Sequence, residues 1–163
     1  MPVNYQELAT GKYYEDLEPG RVYRHAITRT VSETDNLLFS AFTYNPAWLH
    51  LDEEYSKSTI YGTRNVNSLF TLSLVCGVGV SDLTLGTTLG NLGFSEVKFT
   101  KPVLFGDTIH VETEIISRRE SKSRPDAGLV EFEIRGYNQR DELVVSLRRT
   151  GLMAKCPGSK PSK

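Results

Sequence analysis

The residue best suited to proton transfer in this chain is His50, at the end of the loop Thr43 to His50 (TYNPAWLH). An imidazole changes charge near neutral pH and can accept and return a proton in one reaction cycle. The same side chain could equally cap the helix that follows it. Asn45 has two readings as well: Asn-Pro initiates turns, and the Asn45 amide could orient water or substrate. His25 and His110 fall on the polar faces of strand patterns, where a solvated surface role is expected. The Arg118-Arg119 and Arg148-Arg149 pairs could meet phosphates, but charge on the outer face of a strand is ordinarily solvated. Three scattered histidines and two distant cysteines, Cys76 and Cys156, supply no metal-ligand spacing and no disulfide framework. Gly77-Val78-Gly79 lacks the third glycine of a phosphate-binding loop, and no Gly-x-Ser-x-Gly elbow occurs.

The elements that must position this loop can be read from periodicity. Val22 to Arg29 suggests a short strand. Ser32 followed by Asp35 forms a capping pattern ahead of Leu37, Leu38, Ala41 and Phe42, predicting a helix over about 33–41. Asp52-Glu53-Glu54 is an acidic first turn for a second short helix, which places His50 just before it. Asn67 to Val80 is apolar on nearly every side, so a helix here must be surrounded by protein. From Leu89 onward the period becomes two, with Val97 and Phe99, Ile109 to Ile115, Val130 to Ile134 and Leu143 to Leu147 alternating with polar residues. Short polar connections join these strands, favouring antiparallel neighbours. A buried helix with one strand before it and four after it predicts an α+β fold in which a sheet curls around the helix.

The chain has 163 residues, with Lys+Arg 19 against Asp+Glu 20 and a net charge of -1. That length suits one domain over 22–154, preceded by an arm over 1–21 and followed by a disordered tail over 155–163. The charge argues against a nucleic-acid binder. No segment resembles a signal peptide or spans a bilayer, and the cysteine usage suits a reducing cytoplasm, so a cytoplasmic protein without a membrane partner is expected.

Three segments carry a family resemblance: the loop through HLDEEYSK (50–57), TRNVNSLFT (63–71), and VKFTKPVLFGDTIHVETEI (97–115). Together they resemble the MaoC-like hydratases, relatives of the R-specific 2-enoyl-CoA hydratases. The resemblance runs from about Val22 to Met153. It implies a hotdog fold, a curved antiparallel sheet wrapped around a long central apolar helix. VNSLFTL (66–72) and TLGTTLGNLG (84–93) are similar to the branch containing mesaconyl-CoA and itaconyl-CoA hydratases, whose substrates are short, branched, dicarboxylic acyl-CoA thioesters.

In that family the catalytic loop commonly reads Asp-x-Asn-Pro-x-His. Counting back from His50 without a gap puts Asn45 at the Asp position; matching Asn45-Pro46 to the family's Asn-Pro puts Thr43 there instead. Neither is a carboxylate, and an amide cannot accept water's proton at neutral pH. Three arrangements remain: His50 acting as base and then acid while Asn45 holds the water, a carboxylate supplied by Asp35 or by the substrate, or a degenerate half of a heteromeric enzyme. The resemblance further implies Ser68 as the backbone oxyanion donor, with Asn67 where a histidine often stands. Arg64 is the cation beside that site, for the acyl carboxylate, for a CoA phosphate or simply for the surface. No cofactor is implied, because the enoyl thioester already carries the electron sink. The expected activity is hydration or dehydration of a short-chain 2-enoyl-CoA, with an acyl-CoA-binding partner subunit or a thioesterase as alternatives. A single hotdog leaves one sheet edge unpaired, so a homodimer or higher homo-oligomer is expected.

Overall fold

A computed structural model describes residues 3–158. The elements in chain order are β1 (Val22–Arg24), β2 (Arg29–Thr30), α1 (Glu33–Phe42), α2 (Trp48–Leu51), α3 (Glu53–Lys57), α4 (Ser68–Val78), β3 (Thr88–Phe99), β4 (Thr108–Glu120), β5 (Ala127–Tyr137) and β6 (Leu143–Ala154). The strand expected over Val22 to Arg29 is split in two, because both pieces pair antiparallel with β4 at separate places, Val22 opposite Glu114 and Arg29 opposite Ile109.

The sheet is antiparallel and ordered β1-β4-β5-β6-β3, with β2 added beside β4. Alternation in β4 buries Ile109, Val111, Thr113 and Ile115 on one face. Val130, Phe132 and Ile134 of β5 join them, with Val145, Leu147 and Met153 of β6. This face curves around α4, which inserts Val75 and Val78 into the same core. Contact is closest at Gly136, where an added Cβ would lie 2.6 Å from Val75 Cγ1, so glycine is needed for the helix to approach. The last strand, β3, pairs with β6 on one side only, and its Leu89, Leu92, Phe94, Val97 and Phe99 are all exposed.

Local chemistry sets the ends of the helices that carry the candidate site. The Ser32 hydroxyl accepts from Asp35 N–H at 3.2 Å while the Asp35 carboxylate accepts from Ser32 N–H at 2.8 Å, so α1 starts where its capping box stands. Asp52 caps α3 by accepting from Tyr55 N–H at 3.0 Å.

The segment before β1 lies on the domain. Leu17 is fully buried, and Arg118 donates to the carbonyls of Tyr14 and Glu15 at 3.1 and 2.7 Å. At the other end, Lys155 and Cys156 belong to the ordered body rather than to a loose tail. Lys155 N–H bonds to the Asp126 carbonyl at 2.9 Å, and Cys156 N–H donates to the Glu15 carboxylate at 2.9 Å. The rest of the expected tail, 159–163, lies outside the described residues.

Candidate active site

His50 lies in the short helix α2, three residues before α3 opens at Glu53 as expected, and two buried asparagines, Asn36 and Asn65, bond to it. Its Nδ1 faces the backbone carbonyl of Asn65 at 3.0 Å and the Asn65 side-chain oxygen at 3.1 Å. Two oxygens on that side mean that Nδ1 carries the hydrogen, which leaves Nε2 with the lone pair. The His50 carbonyl accepts from Asn36 Nδ2 at 3.0 Å, and Asn36 Oδ1 accepts from the Asn67 N–H at 2.8 Å. Asn36 therefore ties the backbone at His50 directly to the start of α4. A neutral amide can do this at 1 % exposure because it both donates and accepts, leaving no buried charge.

Ser68 is the first residue of α4, and its N–H has no hydrogen-bond acceptor among the described residues. Asn67 is placed differently from the substrate-binding role expected for it. Its Oδ1 accepts from Leu69 N–H at 3.0 Å, its Nδ2 donates to Ser40 Oγ at 3.3 Å, and it is 2 % exposed. It is the N-cap of α4, with both polar atoms used inside the protein. The cap takes up the Leu69 N–H, while the N–H groups of Ser68 and Phe70 have no acceptor among the described residues, at the positive end of an 11-residue helix. Ser68 and Asn65 share a cavity of about 140 Å³ with Tyr61, Thr71, Phe99 and Lys101.

Arg64 is also committed within the chain. Its guanidinium meets Glu33 at 2.6 Å and Glu53 at 2.9 Å and stacks over the Phe105 ring. These two carboxylates hold its proton more tightly than in free arginine, and Arg64 in turn pulls the Glu53 carboxyl below its ordinary range. Its charge is thus balanced before any ligand arrives, and it clamps α1 to α3.

Asn45 Oδ1 accepts from Ala47 N–H at 3.0 Å, closing an Asx turn that leads into α2. Its side chain borders an apolar groove of about 370 Å³ with Leu37, Ala41, Tyr44 and Leu51, not the cavity that holds Ser68. Thr43 Oγ1 donates to the Phe39 carbonyl at 2.8 Å at the end of α1. Asp35 gives its carboxylate to Ser32 and to Arg29, the latter at 2.6 Å. Partial burial pushes its carboxyl up, but the Ser32 bonds and Arg29 outweigh this and hold it below the ordinary value. The structure thus assigns Asp35 to capping rather than to water activation.

His25 is not the solvated surface residue that its strand pattern implies. It is 7 % exposed, with Nδ1 2.9 Å from Asp82 and Nε2 2.8 Å from the Thr113 hydroxyl. Alternation misled here because β1 is only three residues long and the π-helical turn Val80–Thr84 after α4 folds over its end. The connectivity is that of a hydroxyl-imidazole-carboxylate relay; the space beside Thr113 is only about 10 Å³, while His25 also lines a cavity of about 530 Å³ with Arg24, His110 and Tyr137. This group pins β1 and β4 to the end of α4. His110 is half-buried, stacks on Tyr137 and lies 3.3 Å from Asp141. Burial pushes the Cys76 thiol up, which removes it as a nucleophile.

Asn36 and Asn65 were not legible as site residues. Neither lies in a motif with chemical meaning, and each acts only through residues at least 14 positions away in the chain. Asn36 is buried on α1 together with Ser40 while Leu37, Leu38 and Phe42 of the same helix are exposed, so the apolar pattern pointed to the wrong face.

The chain is 32% identical over 152 residues, 93% of its length, to a mesaconyl-CoA hydratase of Cereibacter sphaeroides, but covers only 44% of that protein. It thus spans about half the length of this relative and of a beta-methylmalyl-CoA dehydratase that it also matches. Its fold superimposes on a MaoC-like dehydratase from Rhodospirillum rubrum with a TM-score of 0.80 at 27% identity, covering 90% of this chain and 99% of that one. A double-hotdog protein of Mycobacterium tuberculosis matches with a TM-score of 0.85 at 22% identity, over 94% of this chain and 47% of that one, which supports the hotdog architecture. The sequence profile of the MaoC-like domain matches residues 15–133, and the chain belongs to that family.

Proposed function

We propose that this chain is a hydro-lyase that adds water to, or removes it from, a short-chain 2-enoyl-CoA thioester. The observation that carries the reading is the His50–Asn65 contact. It orients a basic imidazole Nε2 from a residue only three positions before Ser68, whose N–H stands available at the N-terminus of α4.

In this reading His50 Nε2 takes a proton from water as the oxygen bonds to C3. The electron pair of the double bond moves through C2 onto the thioester oxygen, where the Ser68 N–H and the end of α4 meet the developing charge. His50 then returns the proton to C2, so the elements of water are added and nothing is left over. Asn45 shapes the turn that presents His50. No cofactor enters the scheme. The relative named mesaconyl-CoA hydratase supports a branched, dicarboxylic acyl group as the finer specificity.

We infer that a second hotdog unit, in the simplest case another copy of this chain, pairs along β3. The strand is unpaired on one side and exposes five apolar side chains, while the mesaconyl-CoA hydratase it resembles is about twice as long. A second reading is favoured by one observation. Asp35, Asp52 and Glu53, the carboxylates flanking the loop in sequence, are all bonded elsewhere, so this chain could serve as the weaker half of a pair whose other member brings the carboxylate.

The test is purified protein with crotonyl-CoA and mesaconyl-CoA. Loss of the conjugated double bond, abolished by His50→Ala and retained in Cys76→Ala, supports hydration. Release of free CoA thiol would show thioester hydrolysis instead, and absence of turnover on either substrate at high protein concentration would favour the partner-subunit reading.

A further inference from the structure

The cavity beside Ser68 has a chemical bias that the hydration scheme does not use. Thr71, one turn into α4, is 3 % exposed and lines it, and the Thr71 hydroxyl has no hydrogen-bond partner among the described residues. A buried threonine in a helix ordinarily bonds back to a carbonyl of the preceding turn, as Ser73 does to Leu69 at 2.8 Å. Asn65 is 7 % exposed, its Oδ1 is taken by His50, and its Nδ2 likewise has no partner among the described residues. Lys101 also lines the cavity, and no acidic side chain is among the lining residues.

Three donors without partners among the described residues, the Ser68 N–H, Asn65 Nδ2 and the Thr71 hydroxyl, thus belong to residues that line this cavity with Lys101. Lys101 reaches Glu142 at 2.5 Å, but that pair is half-exposed on the lysine side, and Glu142 is also held by Arg140 at 3.0 Å and by Asn138 at 2.8 Å. An exposed ion pair contributes about 0–1 kcal/mol, so turning Lys101 toward an incoming anion costs little. About 140 Å³ is room for roughly five waters at about 30 Å³ each, which suits a short polar acyl end and excludes a long alkyl chain.

We infer that this cavity binds a free carboxylate on the acyl group of the substrate, through Asn65 Nδ2, the Thr71 hydroxyl and Lys101, with the thioester oxygen at the Ser68 N–H. This assignment rests on the proposed acyl-CoA function and deepens it. The selecting cation is Lys101, because Arg64 is already neutralised by two carboxylates. It makes discrimination between diacid and monoacid thioesters a property of this chain alone.

Binding of two saturated esters, succinyl-CoA and butyryl-CoA, tests it without turnover. The full-length protein is titrated with each by calorimetry, and the ratio of their dissociation constants is read. The wild-type protein should favour succinyl-CoA by about tenfold or more, as charge-assisted hydrogen bonds to one carboxylate require. Thr71→Val, which keeps the side-chain shape, and Lys101→Gln, on the surface and neutral in its effect on folding, should each bring the ratio to within about threefold of unity. A wild-type ratio near one, or a preference that survives both substitutions, overturns the assignment. If butyryl-CoA binds and His50-dependent hydration persists without the preference, only the carboxylate subsite falls. Should neither ester bind, the acyl-CoA reading itself is refuted, and this subsite with it.

Discussion

The His50 imidazole is held by Asn65 through two oxygens at once, the backbone carbonyl at 3.0 Å and the side-chain carbonyl at 3.1 Å from Nδ1. The backbone contact survives any substitution, whereas the side-chain contact can be removed or charged, so the pair separates presence of the base from its orientation. Asn65→Ala should lower kcat by about tenfold, near 1.4 kcal/mol, with KM for a monoacid enoyl-CoA little changed. Asn65→Asp adds a negative acceptor beside the ring, which favours the protonated imidazole. The acid limb of the kcat/KM profile should then move to higher pH, and a profile that stays in place would show that Asn65 has only a structural role.

Asn36 is the strut between the catalytic loop and α4. Asn36→Ala leaves a buried carbonyl at His50 and a buried N–H at Asn67 without partners. Urea unfolding should show a loss of about 2–4 kcal/mol, and catalysis should fall further than the folded fraction explains.

Gly79 stands against His25, with an added Cβ only 2.9 Å from Nε2. The ring cannot withdraw, because Asp82 and Thr113 hold both of its nitrogens. Gly79→Ala should therefore cost about 1–3 kcal/mol by overpacking, measured as a lowered thermal midpoint, although alanine is the better helix former.

Acid should loosen the start of α1. The Asp35 carboxyl is lower in the folded protein than its ordinary value of 3.8, so its contribution is fully present above that value and is lost as pH falls through the lower folded value. Compared by urea unfolding from about pH 6 downward, the wild-type advantage over Asp35→Asn should be constant at first and vanish at strongly acid pH. An advantage that persists there would mean that Asp35 stabilises α1 by shape rather than by charge.

The β3 edge should carry the association. Phe94→Glu places a charge on an exposed apolar position opposite Arg149 without touching the core. Sedimentation should show the wild-type chain as a dimer or larger and the variant shifted to monomer, with far-UV circular dichroism unchanged.

Much of this protein was determined by its sequence alone, because the interactions concerned are short in range. The capping pattern Ser32-Asp35 sets the start of α1, the apolar residues from Ser68 to Val78 make a helix that must be enclosed, and period-two alternation from Thr108 onward specifies which face of β4, β5 and β6 is buried. His50 stood out by chemistry and loop context, and Ser68 through the family resemblance. What only the tertiary structure decided is which polar groups are already spent. Arg64 and Asn67 suited a substrate by type, but Glu33, Glu53, Leu69 and Ser40 satisfy them first. Asn36, Asn65 and Thr71 had no distinguishing pattern, yet packing buries them around His50 and Ser68. Hydrogen-bond satisfaction is a property of partners brought together across the fold, often far apart in sequence, whereas capping and hydrophobic periodicity are properties of neighbours along the chain.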